Sequence, residues 1–194
     1  GSVKRMNALP TIRVEDIAAR AEFRRLDAIA GIAHDLRYAT ADNFDGRVLY
    51  DGIDCAWLRA EAAAGLERAA DWLAYTHPGH RLLVLDALRP QRVQEAIWRD
   101  VAGTPAAHYF AEPSRGSIHS FGMALDITIA QRGGPELDMG TPFDDLTELS
   151  HPVREEEFLA NGQLIAEQVA NRQLLREVMV SAGWQGISRE WWHF

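Results

Sequence analysis

The chain has 194 residues and a formal net charge of -8 at pH 7. This length is sufficient for one domain with a well-buried core, or at most for two small domains. A nucleic-acid partner is excluded by the charge, because a phosphate-binding face needs clustered lysine and arginine and no such cluster occurs. No apolar run reaches the length that spans a bilayer, so no membrane partner is expected either. The sequence leaves the oligomeric state open.

The start of the chain and its cysteine content bear on processing and compartment. Gly1 and Ser2 resemble the remnant of a cleaved tag, and residues 1–12 are interpreted as that remnant and an N-terminal arm. No apolar signal stretch follows, which favours a cytoplasmic protein, or a periplasmic one if a leader has been removed. Cys55 is the only cysteine, so an internal disulfide is excluded, and a small buried side chain is expected there.

Hydrophobic spacing predicts regular elements along the first half of the chain. Residues 13–30 carry scattered apolar positions and are interpreted as a weak helix or an ordered arm. Residues 36–40 favour a short strand, and turn-forming residues follow at 41–46. Apolar residues recur at helical spacing over residues 58–76, which predicts a helix, and the continuous apolar run at 82–85 predicts a buried strand.

The second half is predicted to alternate loops with regular elements. A loop rich in Gly, Pro and Ser covers residues 103–118. In residues 123–129 large apolar residues alternate with small or polar ones, which predicts a strand with Asp126 on its small face. Residues 131–162 favour a long excursion with little regular structure, and a last helix is expected to be capped by Asn171. One more helix, before the first loop, is predicted from Val93, Ile97 and Val101.

The order of these elements indicates the fold class. No shift in composition marks a boundary, so residues 13–194 are predicted to form a single domain. Helices flanking one side of a small, mostly antiparallel sheet accommodate the predicted elements, and this arrangement is an α+β fold.

His119 and Asp126 are the first candidates for a metal site. Gly122 lies between them and can bend the backbone, which would bring an imidazole and a carboxylate to one point. Both donors suit Zn²⁺. The alternative is a strand aspartate that is hydrogen-bonded to a nearby loop.

The end of the chain supplies a second histidine and a glutamate. Glu190 and His193 are separated by two tryptophans that can exclude water. A catalytic zinc needs three protein ligands and one open position, and His193 completes a set of three with His119 and Asp126. Glu190 is then free to accept a proton from water. The alternative is a salt-bridged glutamate beside a hydrogen-bonded histidine.

Arg89 follows the predicted buried strand and immediately precedes Pro90. A cation at this position could be aimed at the oxyanion of a tetrahedral intermediate. The alternative is an ordinary surface arginine.

The pattern Ser-x-His-x-x-Gly-x-Ala-x-Asp at residues 117–126, followed by Glu-Trp-Trp-His at 190–193, resembles the VanX-type D-alanyl-D-alanine dipeptidases. These zinc peptidases share a fold with the Hedgehog signalling domain, so the resemblance implies a Hedgehog-like α+β fold. It extends in order from about residue 34 to the end of the chain. The other segments that carry it are residues 36–44, 86–90, 139–144, 150–151 and 171–172.

The resemblance implies roles for individual residues. It implies a single zinc ion held by His119, Asp126 and His193. Glu190 would be the general base, and Arg89 would be the cation that stabilises the transition state.

The resemblance also implies how the substrate is bound. Asp144 would contact the free ammonium group of the substrate, and Tyr38 and Ser117 would lie near the pocket. Ile118 departs from the family, which has a small polar residue before its first histidine ligand.

The implied activity is hydrolysis of D-Ala-D-Ala or a similar small D-dipeptide from peptidoglycan metabolism. One alternative is a D-Ala-D-Ala carboxypeptidase that acts on longer peptidoglycan peptides. Asp144 argues against it, because such an enzyme would lack an acidic contact at the amine end. A second alternative is a catalytically inert, zinc-stabilised binding module, and the presence of both Glu190 and Arg89 argues against that.

Overall fold

The computed structural model describes residues 12–194. The expected tag remnant and arm therefore lie outside the described residues, apart from Ile12. None of the helices in the described part has the length and apolar character needed to cross a membrane.

Three short strands precede the first α-helix in the described chain, and two α-helices follow the last strand. The strands β1 to β5 are Phe23–Arg25, Ile32–His34, Trp57–Arg59, His80–Asp86 and Asp126–Gln131. The α-helices α1 to α4 are Ala60–Thr76, Gln91–Val101, Glu155–Ala160 and Ala166–Ser181. Short 3₁₀ turns occupy several of the connections.

The strands form two small sheets. One sheet has the order β2-β4-β5, in which β2 runs parallel and β5 antiparallel to the central β4. The other is the antiparallel pair of β1 and β3. Two of the three pairings are antiparallel, so the predicted α+β class with a small, mostly antiparallel sheet is confirmed.

The core lies between α1, α4 and the three-stranded sheet. α1 is rich in alanine, which favours the helix, and its leucines recur on one face. Leu66 and Leu73 of that face, Leu82 of β4, Ile127 of β5 and Val178 of α4 are all buried in one cluster. Cys55 is also buried, as expected. The sheet is thereby held against a rigid layer, and its β4 and β5 ends carry the site.

The strand predicted at residues 36–40 is wrong. The chain forms a 3₁₀ turn at Arg37–Ala39, and the strand lies earlier, at β2. The reason is local hydrogen bonding: the Asn43 side chain donates to the carbonyl oxygens of Arg37 and Thr40 and accepts from backbone N–H groups ahead of it. Such bonds offer the backbone an alternative to a strand ladder.

Other boundaries also differ from the predictions. Residues 13–30 form two 3₁₀ turns and β1, which agrees with the predicted ordered arm and not with its alternative, a weak helix. α1 begins at Ala60 because Leu58 belongs to β3. β5 begins at Asp126 rather than at residue 123.

The excursion at 131–162 has little regular structure, as predicted: beyond the end of β5 it contains short 3₁₀ turns and α3, whose three consecutive glutamates suit the start of a helix. The helix cap predicted at Asn171 is wrong. α4 begins at Ala166, so Asn171 lies within the helix instead of capping it. Its side chain donates to the carbonyl oxygen of Asp138 and ties α4 to the excursion.

Candidate metal centre and active site

His119 and Asp126 meet because the chain bends between them. His119 lies in the 3₁₀ turn Ile118–Phe121, and Gly122 ends this turn with a φ of 72°. A side chain at Gly122 would strain that backbone, and its Cβ would lie 3.0 Å from the Phe23 ring. The predicted bend at Gly122 is therefore confirmed.

His193 reaches the same point through backbone pairing. The C-terminal segment runs antiparallel to the start of β5, with Leu125 and Phe194 exchanging both of their backbone hydrogen bonds at 3.0 Å. Asp126 and His193 are directly opposite each other in this pairing. Opposed residues in an antiparallel pair present their side chains on the same face, so both side chains extend towards His119.

The three donor atoms form an equilateral triangle. His119 Nε2 lies 3.2 Å from Asp126 Oδ1 and 3.2 Å from His193 Nδ1, and His193 Nδ1 lies 3.2 Å from Asp126 Oδ1. Zinc–ligand distances of about 2.0–2.1 Å in a tetrahedral site correspond to a ligand–ligand separation of roughly 3.3 Å. The triangle therefore has the size of one face of a tetrahedral zinc site, and these residues fit the ion.

The chemistry of the donors points the same way. His119 Nδ1 lies 2.9 Å from the carbonyl oxygen of Ala87, which must accept, so the proton is on Nδ1 and Nε2 presents a lone pair. Burial lowers the pKa of His193, which favours its neutral form. Two imidazole lone pairs and a carboxylate oxygen repel one another at this separation, and a cation bound between the three atoms makes the arrangement favourable.

Glu190 lies beside this triangle and is 9% exposed. Its carboxyl group has no hydrogen bond or ion pair with any other residue in the 12–194 range. Burial, followed by the negative charges of Asp126 and Asp144, raises its pKa well above the ordinary value. The adjacent Trp191 is buried and donates from Nε1 to Thr141 Oγ1 at 2.8 Å, which fixes the backbone on which Glu190 sits. A buried carboxylate of raised basicity is suited to accept a proton.

Arg89 is buried rather than on the surface, so the alternative of a surface arginine is wrong. Its backbone N–H donates to the carbonyl oxygen of His119 at 3.1 Å. Its Nη2 donates to Asp86 at 2.8 Å and lies 3.9 Å from Asp126 Oδ2. The Tyr38 ring centroid lies 5.0 Å from the Arg89 Cζ. The guanidinium is thus a fixed positive charge next to the donor triangle.

Asp144 comes from the excursion that follows β5. It is buried and accepts a hydrogen bond from the backbone N–H of Phe44 at 3.2 Å. Its φ of 66° makes it the one residue other than glycine with a left-handed backbone in residues 12–194. Strained conformations of this kind are concentrated at functional sites. Burial, and then the charge of Asp126, raises the pKa of Asp144 to about 7.

One cavity of about 610 Å³ unites these groups. All eight residues singled out by the sequence line it, including Tyr38 and Ser117. The hydroxyl of Tyr38 is buried and has no hydrogen-bond partner among the described residues. Ile118 also lines the cavity and is 59% exposed, so the residue that departs from the family faces the space where a ligand would bind.

Sequence reasoning missed three buried residues around Arg89. Asp86 accepts from Arg89 and also from the Tyr50 hydroxyl at 2.6 Å, and Gln94 accepts from Arg89 at 3.1 Å. An acid three residues before a strand-end arginine was a usable signal for Asp86. No local pattern distinguishes Tyr50 or Gln94.

A buried His/Asp/His donor set with a neighbouring carboxylate and cation, on an α+β scaffold, is typical of metal-dependent hydrolases. The family model described as D-Ala-D-Ala dipeptidase, of the M15 peptidases, matches residues 20–194. The chain belongs to this family and is a peptidase.

Individual relatives agree with the family match. A D-alanyl-D-alanine dipeptidase of Escherichia coli is 35% identical, with 82% of this chain and 76% of the relative covered. Proteins of the same name from Enterococcus faecium and Streptomyces coelicolor are 32% and 31% identical. For these two the covered shares are 89% and 87% of this chain and 90% and 87% of the relative.

Proposed function

We propose that this protein is a zinc-dependent dipeptidase that hydrolyses D-Ala-D-Ala or similar small D-dipeptides, with residues 13–194 as one peptidase domain. The observation that carries the proposal is the 3.2 Å triangle of His119, Asp126 and His193 beside the buried Glu190. The names of these relatives, all D-alanyl-D-alanine dipeptidases, support the choice of substrate.

In the proposed mechanism the protein supplies a base, a cation and a water-poor cavity. Zinc bound by the three ligands would polarise the scissile carbonyl and lower the pKa of a bound water. Glu190 accepts the proton of the attacking water on its carboxylate and returns it to the amine that leaves. Trp191 and Trp192 are buried behind it and exclude bulk water, which strengthens every charge interaction at the site.

The charged groups of the cavity orient the bound substrate. The Arg89 guanidinium faces the oxyanion that develops at the scissile carbon. Asp144 contacts the ammonium group of the substrate, and Tyr38 and Ser117 provide hydroxyl groups near the bound peptide. An acidic contact at the amine end favours a dipeptide over the longer peptides that a carboxypeptidase would take.

A hydrolysis panel tests this function. D-Ala-D-Ala should be cleaved faster than D-Ala-L-Ala, L-Ala-D-Ala and L-Ala-L-Ala by the zinc-loaded protein, with released alanine as the readout. Equal rates on D,D- and L,L-dipeptides would contradict the substrate assignment, and no hydrolysis of any dipeptide would favour the inert binding module.

The metal assignment predicts one zinc ion per chain. Mass spectrometry under native conditions should show it, and zinc should raise the midpoint of thermal unfolding because it binds the folded state. His119→Ala should lose both effects. The control is His34→Ala, at an exposed histidine on β2, which should keep both. Retention of tightly bound zinc in His119→Ala would refute the ligand set.

Arg89→Ala should lower kcat by about 10²–10³-fold, the loss observed when one oxyanion donor is removed, and should change KM much less. The reason is that the oxyanion exists only in the transition state. Steady-state kinetics on D-Ala-D-Ala measure this split, with Arg99→Ala on the exposed side of α2 as the control. A pure KM effect would make Arg89 an anchor for the substrate carboxylate.

A further inference from the structure

The guanidinium of Arg89 is held at two of its nitrogens. Nη2 donates to Asp86 Oδ2 at 2.8 Å, and Nη1 donates to Gln94 Oε1 at 3.1 Å. A single contact at Asp86 would allow the planar group to pivot about that bond. Bonds at two different nitrogens fix both its position and its plane. Gln94 therefore supplies the second point of attachment.

Gln94 is completely buried in the first turn of α2 and is bonded at both ends of its amide. Its Nε2 donates to the carbonyl oxygen of Ala111 at 2.7 Å. The orientation of the amide is unambiguous, because a guanidinium can only donate and a carbonyl can only accept. An ionised glutamate of the same length could not donate, and a methionine could do neither. The site therefore requires glutamine.

Ala111 belongs to the wall of the cavity. It lines the cavity together with Phe110, whose ring centroid lies 6.0 Å from the Arg89 Cζ. The Tyr38 ring, at 5.0 Å, is a second aromatic neighbour of the same group. Gln94 itself is not among the residues that line the cavity. It connects the cation to the wall without contacting the space that a substrate would occupy.

We propose that Gln94 is a positioning residue, which holds the Arg89 guanidinium in the orientation that stabilises the oxyanion. The proposal depends on the proposed role of Arg89. Gln94 acts through Arg89, so the loss of Gln94 should weaken stabilisation of the transition state and leave substrate binding nearly unchanged.

Gln94→Met tests the proposal, because methionine fills a similar volume without either hydrogen bond. It should lower kcat on D-Ala-D-Ala by about 10–100-fold, since misplacing a catalytic group by about 1 Å can cost that much. KM should be nearly unchanged. The matched control is Gln91→Met: Gln91 lies on the same helix and donates to the Pro113 carbonyl of the same loop at 3.1 Å, but among the described residues it has no hydrogen bond to Arg89. It should keep the wild-type kcat.

The same substitution in the Arg89→Ala background separates positioning from general support of the fold. Gln94→Met should cost nothing further there, because the group that it positions is gone. An equal loss in both backgrounds would overturn the proposal while leaving the role of Arg89 intact. A wild-type kcat in Arg89→Ala would refute the role of Arg89 and this proposal with it. Absence of D-Ala-D-Ala hydrolysis in the wild type would refute the proposed function instead.

A measurement without turnover completes the test. Nitrogen-detected NMR of the zinc-loaded protein should show the two Arg89 Nη groups as separate signals, since both are held. Gln94→Met should shift the Nη1 signal, because that nitrogen loses its acceptor while Nη2 keeps Asp86, whereas Gln91→Met should leave the signal in place. If Gln94→Met yields no folded protein, Gln94→Asn replaces it, because the shorter amide cannot span both partners. An Nη1 signal unchanged from the wild type in a folded Gln94 variant would overturn the proposal.

Discussion

Glu190→Gln is expected to retain zinc and the fold while losing most of its turnover. Glutamine has the shape of glutamate and cannot accept the proton of the attacking water. Loss of a general base should lower kcat by about 10²–10⁴-fold. Steady-state kinetics and metal analysis on the same preparation measure both quantities. The buried position of Glu190 and its raised pKa are the structural basis for this expectation.

Two outcomes would contradict the assignment of Glu190. Loss of zinc from the variant would make this residue a ligand, and normal turnover would place the base elsewhere. The control is Glu177→Gln on the exposed face of α4, which should leave kcat and zinc content at wild-type values. Thermal unfolding of both variants excludes a defect in folding as the cause.

Acylation of the substrate amine is expected to lower kcat/KM by more than about a hundredfold, because leaving one partner of a buried charge pair alone typically costs about 3–5 kcal/mol. The ammonium group of D-Ala-D-Ala is proposed to contact Asp144, which is buried in the cavity. N-acetyl-D-Ala-D-Ala lacks that charge and adds bulk at the amine end, next to Asp144. The measurement is kcat/KM for the free and the acetylated dipeptide.

Asp144→Asn tests the residue behind this discrimination. Asparagine tolerates the left-handed backbone found at this position and keeps the shape of the side chain, so that mainly the charge is removed. The variant should lose activity on the free dipeptide and little on the acetylated one, which narrows the gap between them. Asp145→Ala is the control, since Asp145 is next in the chain and is not among the residues lining the cavity. Comparable rates on both substrates in the wild type would favour the carboxypeptidase alternative.

Local sequence patterns were sufficient to predict the elements that are stabilised by interactions between neighbouring residues. The alanine-rich periodicity of α1 and the continuous apolar run of β4 predicted both elements, because helix propensity and burial act over neighbouring residues. The same holds for the bend at Gly122, since only glycine readily adopts its φ of 72°. His119 and Asp126 could therefore be proposed as a pair from their spacing, but spacing alone left open a strand aspartate that is hydrogen-bonded to a nearby loop.

Local patterns failed where side chains and packing compete with propensity. The stretch around Tyr38 reads as a strand, yet hydrogen bonds of the Asn43 side chain favour a 3₁₀ turn there. α4 extends five residues before Asn171, and its start is capped by the Gln168 side chain, which accepts from the backbone N–H of Ile165 at 2.9 Å. The left-handed backbone of Asp144 likewise has no signature in the sequence.

The sequence by itself determined the class of the protein and the residue types of its site, since a motif of this order and spacing is carried by the chain alone. Only the tertiary structure decided the geometry that makes those residues a site. His193 meets Asp126 across a separation of 67 residues, through the pairing of the C-terminal segment with β5. Arg89 is held by Gln94, whose other hydrogen bond goes to Ala111. Such contacts depend on how distant segments pack together, which no local periodicity encodes.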